Sequence, residues 1–425
     1  MFSVYPRTLH GLETRGTKLR RSYNSGMNQH PSNWLVWSLV GALQVMFADL
    51  LRADSPGPQL DPAKLAALGP RMQSFIDQHE IAGAVTLVAS GEGVLDLETF
   101  GQADLEKKIA MKPDTMFWIA SMTKPIAASA ILMLQDQGKL SVDDPVAKFL
   151  PELADVRTKE GKPAHLTIRH LLTHTSGMEE ATQAEAIAAK TLAELIPDYA
   201  HKPVDFEPGS KWSYCQSGIN TLGRIVEVIS GESFPEFLQK NFFDPLNMKD
   251  TTFYPTADQA ARIATSYRRT KEGMLEPATI WLLNGMDVTS RDRYPAPNAG
   301  LFSTAGDYAQ FARMILNHGT LHGHRYLSPE AVAQMTSIQT GDLQTGFTPG
   351  NGWGLGWCVI RHPQGVTERL SPGTFGHGGA YGTQAWIDPT RDLIYLLMVQ
   401  RADFPNGDAS ELRKVFQEVV AGAVH

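Results

Sequence analysis

The sequence predicts a mixed fold, α/β in content and α+β in arrangement: one antiparallel sheet flanked by helices, plus an inserted, mostly helical lobe. Three observations carry that expectation. Strand-like runs cluster towards both ends of the 425-residue chain. The middle is dominated by apolar residues at helical spacing. Short turns rich in Gly, Ser, Asp and Pro separate neighbouring strand-like runs.

Taken in order, Leu65, Leu68, Met72, Phe75 and Ile76 recur at helical spacing and predict an amphipathic helix over 62–78. Ala84–Ala89 and Val94–Phe100 read as strands, joined by a hairpin turn at Ser90-Gly91-Glu92-Gly93. An apolar run from Ile126 to Leu134 ends at Gly138, a good helix stop. Another apolar helix is expected over Leu222–Ile229. Three more strands are read at Trp353–Ile360, Gly382–Ile387 and Leu393–Gln400, with Asp388–Asp392 turning the chain between the last two. Leu412, Val415, Phe416, Val419 and Val420 lie on one face of a closing helix over Ser410–Ala421. The expected division is a tail over 1–60 and a domain over 61–425. Within the domain, about 61–140 and 301–425 form the sheet lobe and about 141–300 the helical lobe.

Composition narrows the function classes. Hydrophobic residues make up 42% and charged residues 20%, an ordinary folded balance. Lys plus Arg number 38 against 45 Asp plus Glu, a net charge of -7, so no basic footprint for nucleic acid or an anionic membrane is present. Cys215 and Cys358 are the only cysteines, which excludes a disulfide scaffold and a cysteine-based metal site. Trp34–Ala48 is an uncharged run of 15 residues behind Lys18, Arg20 and Arg21. That is short for a membrane span and resembles the apolar core of a secretory signal, with translation starting at Met1 or Met27. Export is the expectation; a buried or amphipathic extra helix is the alternative. Ser55-Pro56-Gly57-Pro58 marks where the folded domain should begin.

The chemistry-bearing segments are few. Gly-x-Ser-x-Gly, Gly-x-Gly-x-x-Gly and Walker patterns are all missing from the sequence. His170 and His174 are four apart, but Leu171 stands where a zincin has its glutamate, so a structural role is expected and no metal. Ser121-Met122-Thr123-Lys124-Pro125 opens an apolar helix, and Pro125 fits only its first turn. Ser121 therefore sits at a helix N-terminus with Lys124 on the same face. Such a pair can be nucleophile and base if burial keeps the lysine neutral, although by itself the motif reads more simply as a helix cap and a solvated lysine. Tyr214-Cys215-Gln216 precedes the second apolar helix. Gly376-His377-Gly378-Gly379-Ala380 surrounds a histidine with glycines, as a turn leading into a strand, allowing close backbone approach to a ligand.

In this order, Ser121-Met122-Thr123-Lys124, Tyr214-Cys215-Gln216 and His377-Gly378-Gly379 resemble the three motifs of serine β-lactamases, penicillin-binding proteins and their esterase relatives. The likeness is closest to family VIII carboxylesterases and class C β-lactamases. Leu171–Met178, Pro245–Met248, Gly300–Ala305 and Gly352–Gly356 add supporting phrases, and the resemblance spans about 65–421. It implies acyl transfer through a serine ester without cofactor: Ser121 as nucleophile, Lys124 with Tyr214 as base and proton relay, and the amides of Ser121 and Ala380 as oxyanion hole. Gln216, His377 and Gly379 fall among the implied substrate-binding residues. Two departures bear on substrate. His377 replaces the lysine that helps hold a β-lactam carboxylate, and Gln216 replaces the usual asparagine. The expected function is a serine carboxylesterase on small, short-chain esters. A β-lactamase or D-amino-acid peptidase using the same residues is the alternative, and a non-catalytic binder a third. Oligomeric state and natural substrate are not written in these motifs.

Overall fold

A computed structural model describes residues 57–404 and 406–425. The apolar stretch Trp34–Ala48 and the alternative start at Met27 lie outside the described residues.

Eight strands form the principal sheet. In chain order these are β1 Gly83–Ala89, β2 Val94–Asp104, β3 Ile109–Ala110, and then, after short outlying pairs β4 Phe117–Trp118 with β7 Phe302–Ser303, β5 Tyr267–Arg269 with β6 Leu275–Pro277, and β8 Thr320–Leu321 with β9 His324–Arg325, the strands β10 Asn351–Trp353, β11 Cys358–Ile360, β12 Phe375–Gly378, β13 Gln384–Asp388 and β14 Leu393–Met398. The sheet order is β10-β11-β12-β13-β14-β1-β2-β3, antiparallel throughout, so the two ends of the chain meet where β14 pairs with β1. Leu87 stands opposite Leu396 on one side and Leu97 on the other.

Alternation along β14 shows how both faces are covered. Leu393, Tyr395 and Leu397 pack with Leu68, Met72, Val415, Phe416 and Val420, from the helices Leu68–Asp77 and Glu411–Ala423. Ile394, Leu396 and Met398 face the opposite way, into the large core with the helices Thr123–Asp136 and Ala305–Leu316. A strand buried on both faces carries no polar alternation, and β1 is buried at every position.

Between these halves, residues 141–300 contribute the helices Ile168–Leu172, Gln183–Ala188, Leu192–Ala200, Gln216–Ser230, Phe234–Leu238 and Ala257–Ala260, and also the β5–β6 hairpin. Residues 57–425 hold together as one unit. Among the described residues no helix is long and apolar enough to cross a membrane.

Three local expectations need correction. The helix over 62–78 is two helices, Pro62–Leu65 and Leu68–Asp77. Pro70 is the reason: its ring would strike the carbonyl four residues earlier, so the helix restarts to place it in a first turn. Trp353–Ile360 is a hairpin of β10 and β11 rather than one strand. Its tip turns at Gly356, φ +80, where an added Cβ would lie 2.5 Å from the Ala128 methyl. His377 lies within strand β12 itself, not in a turn before a strand.

Candidate active site

Ser121 occupies a 3-10 turn, Ala120–Met122, that runs directly into the buried helix Thr123–Asp136. Ala120 has φ +45, a left-handed conformation that costs a residue with a side chain about 1–2 kcal/mol. Thr123 Oγ1 donates to Ala120 O at 2.7 Å and Tyr308 Oη to Met122 O at 3.1 Å, so surrounding structure holds the bend. Lys124, one turn on, points back to the serine with Nζ 3.1 Å from Ser121 Oγ.

The lysine is completely buried. Its Nζ donates to Gln216 Oε1 at 2.7 Å and to the Asn298 carbonyl at 2.8 Å, and lies 4.6 Å from the centre of the Tyr214 ring. Among the described residues no carboxylate touches it. Burial therefore pulls its pKa down from 10.5 to about 7, against a smaller upward pull from Glu180 and Cys215.

The second motif is set by the helix Gln216–Ser230. Glu180 caps that helix, accepting from the Gln216 amide at 2.6 Å and from the Ser217 amide at 2.9 Å. Tyr214 immediately precedes it, half-buried, with its hydroxyl facing the Ser121 side chain and 3.4 Å from His377 Nε2. Burial raises the phenol well above its ordinary range, so it stays protonated. The His174 ring lies 4.4 Å from the Tyr214 ring, and its Nδ1 accepts the Cys215 amide at 3.1 Å. His174 thus braces the motif from beneath, while His170 caps its own short helix with Thr167. Cys215 is buried, and burial lifts its thiol to about 12.

The third motif reaches the nucleophile along β12. Gly379 approaches so closely that a Cβ there would sit 2.0 Å from Thr383 Oγ1 and 2.6 Å from the Ile119 carbonyl. That contact brings Ala380 beside the Ser121 turn. His377 Nδ1 lies 2.7 Å from the Gly378 carbonyl, which can only accept, so the ring proton sits on Nδ1. Nε2 is then an acceptor facing the Tyr214 hydroxyl. Burial, with Lys124 nearby, holds His377 down to about 3. The imidazole is neutral at pH 7.

Ser121, Tyr214, Gln216, His377, Gly379 and Ala380 line a single cleft of about 460 Å³, and Lys124 lies beneath it. All seven residues singled out in the sequence are therefore gathered in one place. The cleft also holds Phe347, Asn406, Gly407 and Asp408, which no motif flagged, because each comes from a loop without a spacing signature. Glu180 and Asn298 were equally invisible, since their contacts arise from chain folding. Gln216 lines the cleft, while its Oε1 accepts from Lys124 and from Asn298 Nδ2 at 3.0 Å. Among the described residues no cluster of His, Cys, Asp or Glu is placed to hold a metal ion.

A family model described as Beta-lactamase matches residues 68–419. Protein Rv1367c of Mycobacterium tuberculosis is 34% identical over 369 residues, spanning 80% of this chain and 90% of its own length. Esterase EstB of Burkholderia gladioli is 30% identical over 381 residues, spanning 81% of this chain and 92% of its own length. Among solved structures, EstCE1, described as a hydrolase with promiscuous acyltransferase activity, shares the fold with a TM-score of 0.73. It is 26% identical and covers 84% of this chain and 98% of that one. With the match running across nearly all of the sheet, the helices and the cleft, the chain belongs to the beta-lactamase family of enzymes.

Proposed function

We propose that this enzyme is a serine carboxylesterase that cleaves small, short-chain esters through a covalent acyl-enzyme. One observation carries the reading: the hydrogen bonding around Lys124. A neutral amine has two N–H donors and one lone pair. The Gln216 side-chain carbonyl and the Asn298 backbone carbonyl can only accept, and they take both donors at the two shorter distances. The lone pair is left for the proton of Ser121 Oγ, 3.1 Å away.

The sequence of events follows. Lys124 Nζ takes the hydroxyl proton as Ser121 Oγ bonds to the ester carbonyl carbon. The carbonyl oxygen becomes an oxyanion facing the amides of Ser121 and Ala380; one such donor contributes about 10²–10³ in rate. As the tetrahedral intermediate collapses, the C–O bond to the alcohol breaks and Tyr214 gives the departing alkoxide its proton. Lys124 restores that proton to Tyr214. His377, accepting from Tyr214 through Nε2, aims the hydroxyl. Water then repeats the steps on the acyl-enzyme, releasing the acid and regenerating Ser121.

The neutral His377 supports an ester over a β-lactam, because an uncharged ring offers a carboxylate little attraction. The family relationship to an esterase at 30% identity agrees with this. The test pairs p-nitrophenyl butyrate with a chromogenic cephalosporin on wild type and Ser121→Ala. Ester turnover that vanishes in Ser121→Ala, with little lactam opening, is expected; a fluorophosphonate should label wild type alone. Faster lactam hydrolysis than ester hydrolysis would transfer the assignment to the β-lactamase reading.

A further inference from the structure

The cleft has a charge that the reaction itself does not use. Asp408 is half-buried at its wall, in the short turn Gly407–Ala409, beside the third motif. Among the described side chains lining the cleft it is the only carboxyl group: Ser121, Tyr214, Gln216, Phe347 and Asn406 carry no charge, and His377 is a neutral ring. Among the described residues no lysine or arginine lines the wall. Where relatives of the resemblance place a cation for a carboxylate, this chain places an uncharged histidine and a carboxylate next to it.

The carboxylate is positioned rather than free to swing. Gln384 is buried, and its orientation is fixed because its Oε1 accepts from Trp386 Nε1 at 2.8 Å. Its Nε2 is thereby turned to Asp408 Oδ1, at 3.0 Å. Gly378 makes room, since a Cβ there would fall 1.8 Å from the same oxygen. Arg413 Nη1 clamps the Asp408 carbonyl at 2.6 Å. Its guanidinium is fully buried, 3.7 Å from the Trp386 ring; it feels the Asp408 charge but does not line the cleft. An entering group meets the carboxylate and not the guanidinium. Asn406 Nδ2 donates to the Phe347 carbonyl at 3.1 Å, joining the two loops that frame this end of the cleft. Among the described residues, only Oδ1 of Asp408 is bonded, which leaves Oδ2 for a ligand.

We propose that Asp408 is a specificity-determining residue and that the preferred esters carry a cationic group, an amine or quaternary ammonium, on the acyl or alcohol part. The inference rests on the esterase reading of Ser121 and deepens it. The magnitude follows from the attraction of one unit pair at contact, between bulk-water and protein-surface screening, which is about tenfold or more in specificity.

The experiment compares isosteric pairs in kcat/KM. Butyrylcholine against 3,3-dimethylbutyl butyrate probes the alcohol side; p-nitrophenyl 6-aminohexanoate against p-nitrophenyl heptanoate probes the acyl side. In wild type at least one cationic ester should be favoured about tenfold over its neutral partner. In Asp408→Asn that ratio should fall to near one, and added salt should erode it in wild type but not in the variant. Near-equal ratios in both wild-type pairs would overturn the proposal while leaving the esterase reading intact. So would a preference that survives in Asp408→Asn, which would assign it to the overall negative charge of the chain. Absence of Ser121-dependent turnover of all four esters would overturn both.

Discussion

Lys124 is charged in the unfolded chain at pH 7 and half-neutral in the folded one, and a single pair of neighbours turns that into chemistry. With its pKa near 7, the fraction of neutral lysine climbs through neutrality. For p-nitrophenyl butyrate, kcat/KM should therefore rise about tenfold per pH unit below 7 and level above it. His377, near 3, cannot supply that limb. Gln216→Glu would put a carboxylate where the 2.7 Å carbonyl contact now lies, holding the lysine proton. Its pH profile should move up by about one unit or more, with a matching loss at pH 7. The same residue bears on stability. Its folded pKa lies below the ordinary 10.5, so the unfolded state binds more protons between about 7 and 10.5. Stability should rise with pH across that window. Measured by urea denaturation, any advantage of Lys124→Met over wild type should shrink from pH 7 to pH 10. At this scale the sequence was informative where chemistry needs fixed spacing: Ser121 and Lys124 lie on one helical face and can be read together. Asn298, whose backbone carbonyl does the accepting, could not be read, because any residue type has a carbonyl.

The elements that carry the site are held by packing at their ends. Gly379 lets β12 approach the Ser121 turn, and Gly379→Ala would drive a methyl into Thr383 Oγ1 and the Ile119 carbonyl. The strand must retreat, widening the space between the Ser121 and Ala380 amides. A drop of about 10²-fold or more in kcat is expected, with the circular dichroism spectrum retained. His174→Phe keeps a ring against Tyr214 but leaves the buried Cys215 amide without its acceptor. An orphaned buried donor costs about 1–3 kcal/mol, which a shift in urea midpoint would report. Strands β1, β2, β13 and β14 were legible because long apolar or alternating runs have one reading. The β10–β11 hairpin was not, since Trp353–Ile360 carries no polar residue and only Gly354 and Gly356 mark its turn. The break before Leu68 was written in Pro70, a signal outweighed by the regular spacing of Leu65, Leu68, Met72, Phe75 and Ile76.

For the whole molecule, the sheet is completed by residues distant in sequence, with β14 paired to β1 across some 300 positions. The closing helix Glu411–Ala423 covers Tyr395, Leu397 and Trp386 on one face of that sheet. Ending the chain at Ser410 would expose those rings and strand Trp386 without its Arg413 partner. Aggregation on expression, rather than a folded and slower enzyme, is the expected outcome, checked by size-exclusion chromatography. An antiparallel sheet from both ends was foreseeable from where the strand-like runs lie. What crosses the cleft was not, because Phe347 and Asp408 are brought together by loops whose course no local pattern encodes.

The described ends of the chain are also joined to one another. Asp61 N donates to Ala423 O at 2.7 Å, His425 N donates to Gln59 O at 3.1 Å, and Leu60 forms an isolated bridge with Val424. Residues 57–425 therefore nearly close a ring, and a few-residue linker would finish it. A circular permutant could then be opened elsewhere, at the exposed turn around Gly161, and still assemble the same sheet and cleft. In such a permutant the paired strands β14 and β1 would lie about 55 residues and a linker apart instead of some 300, so that closure would shorten severalfold and refolding should quicken.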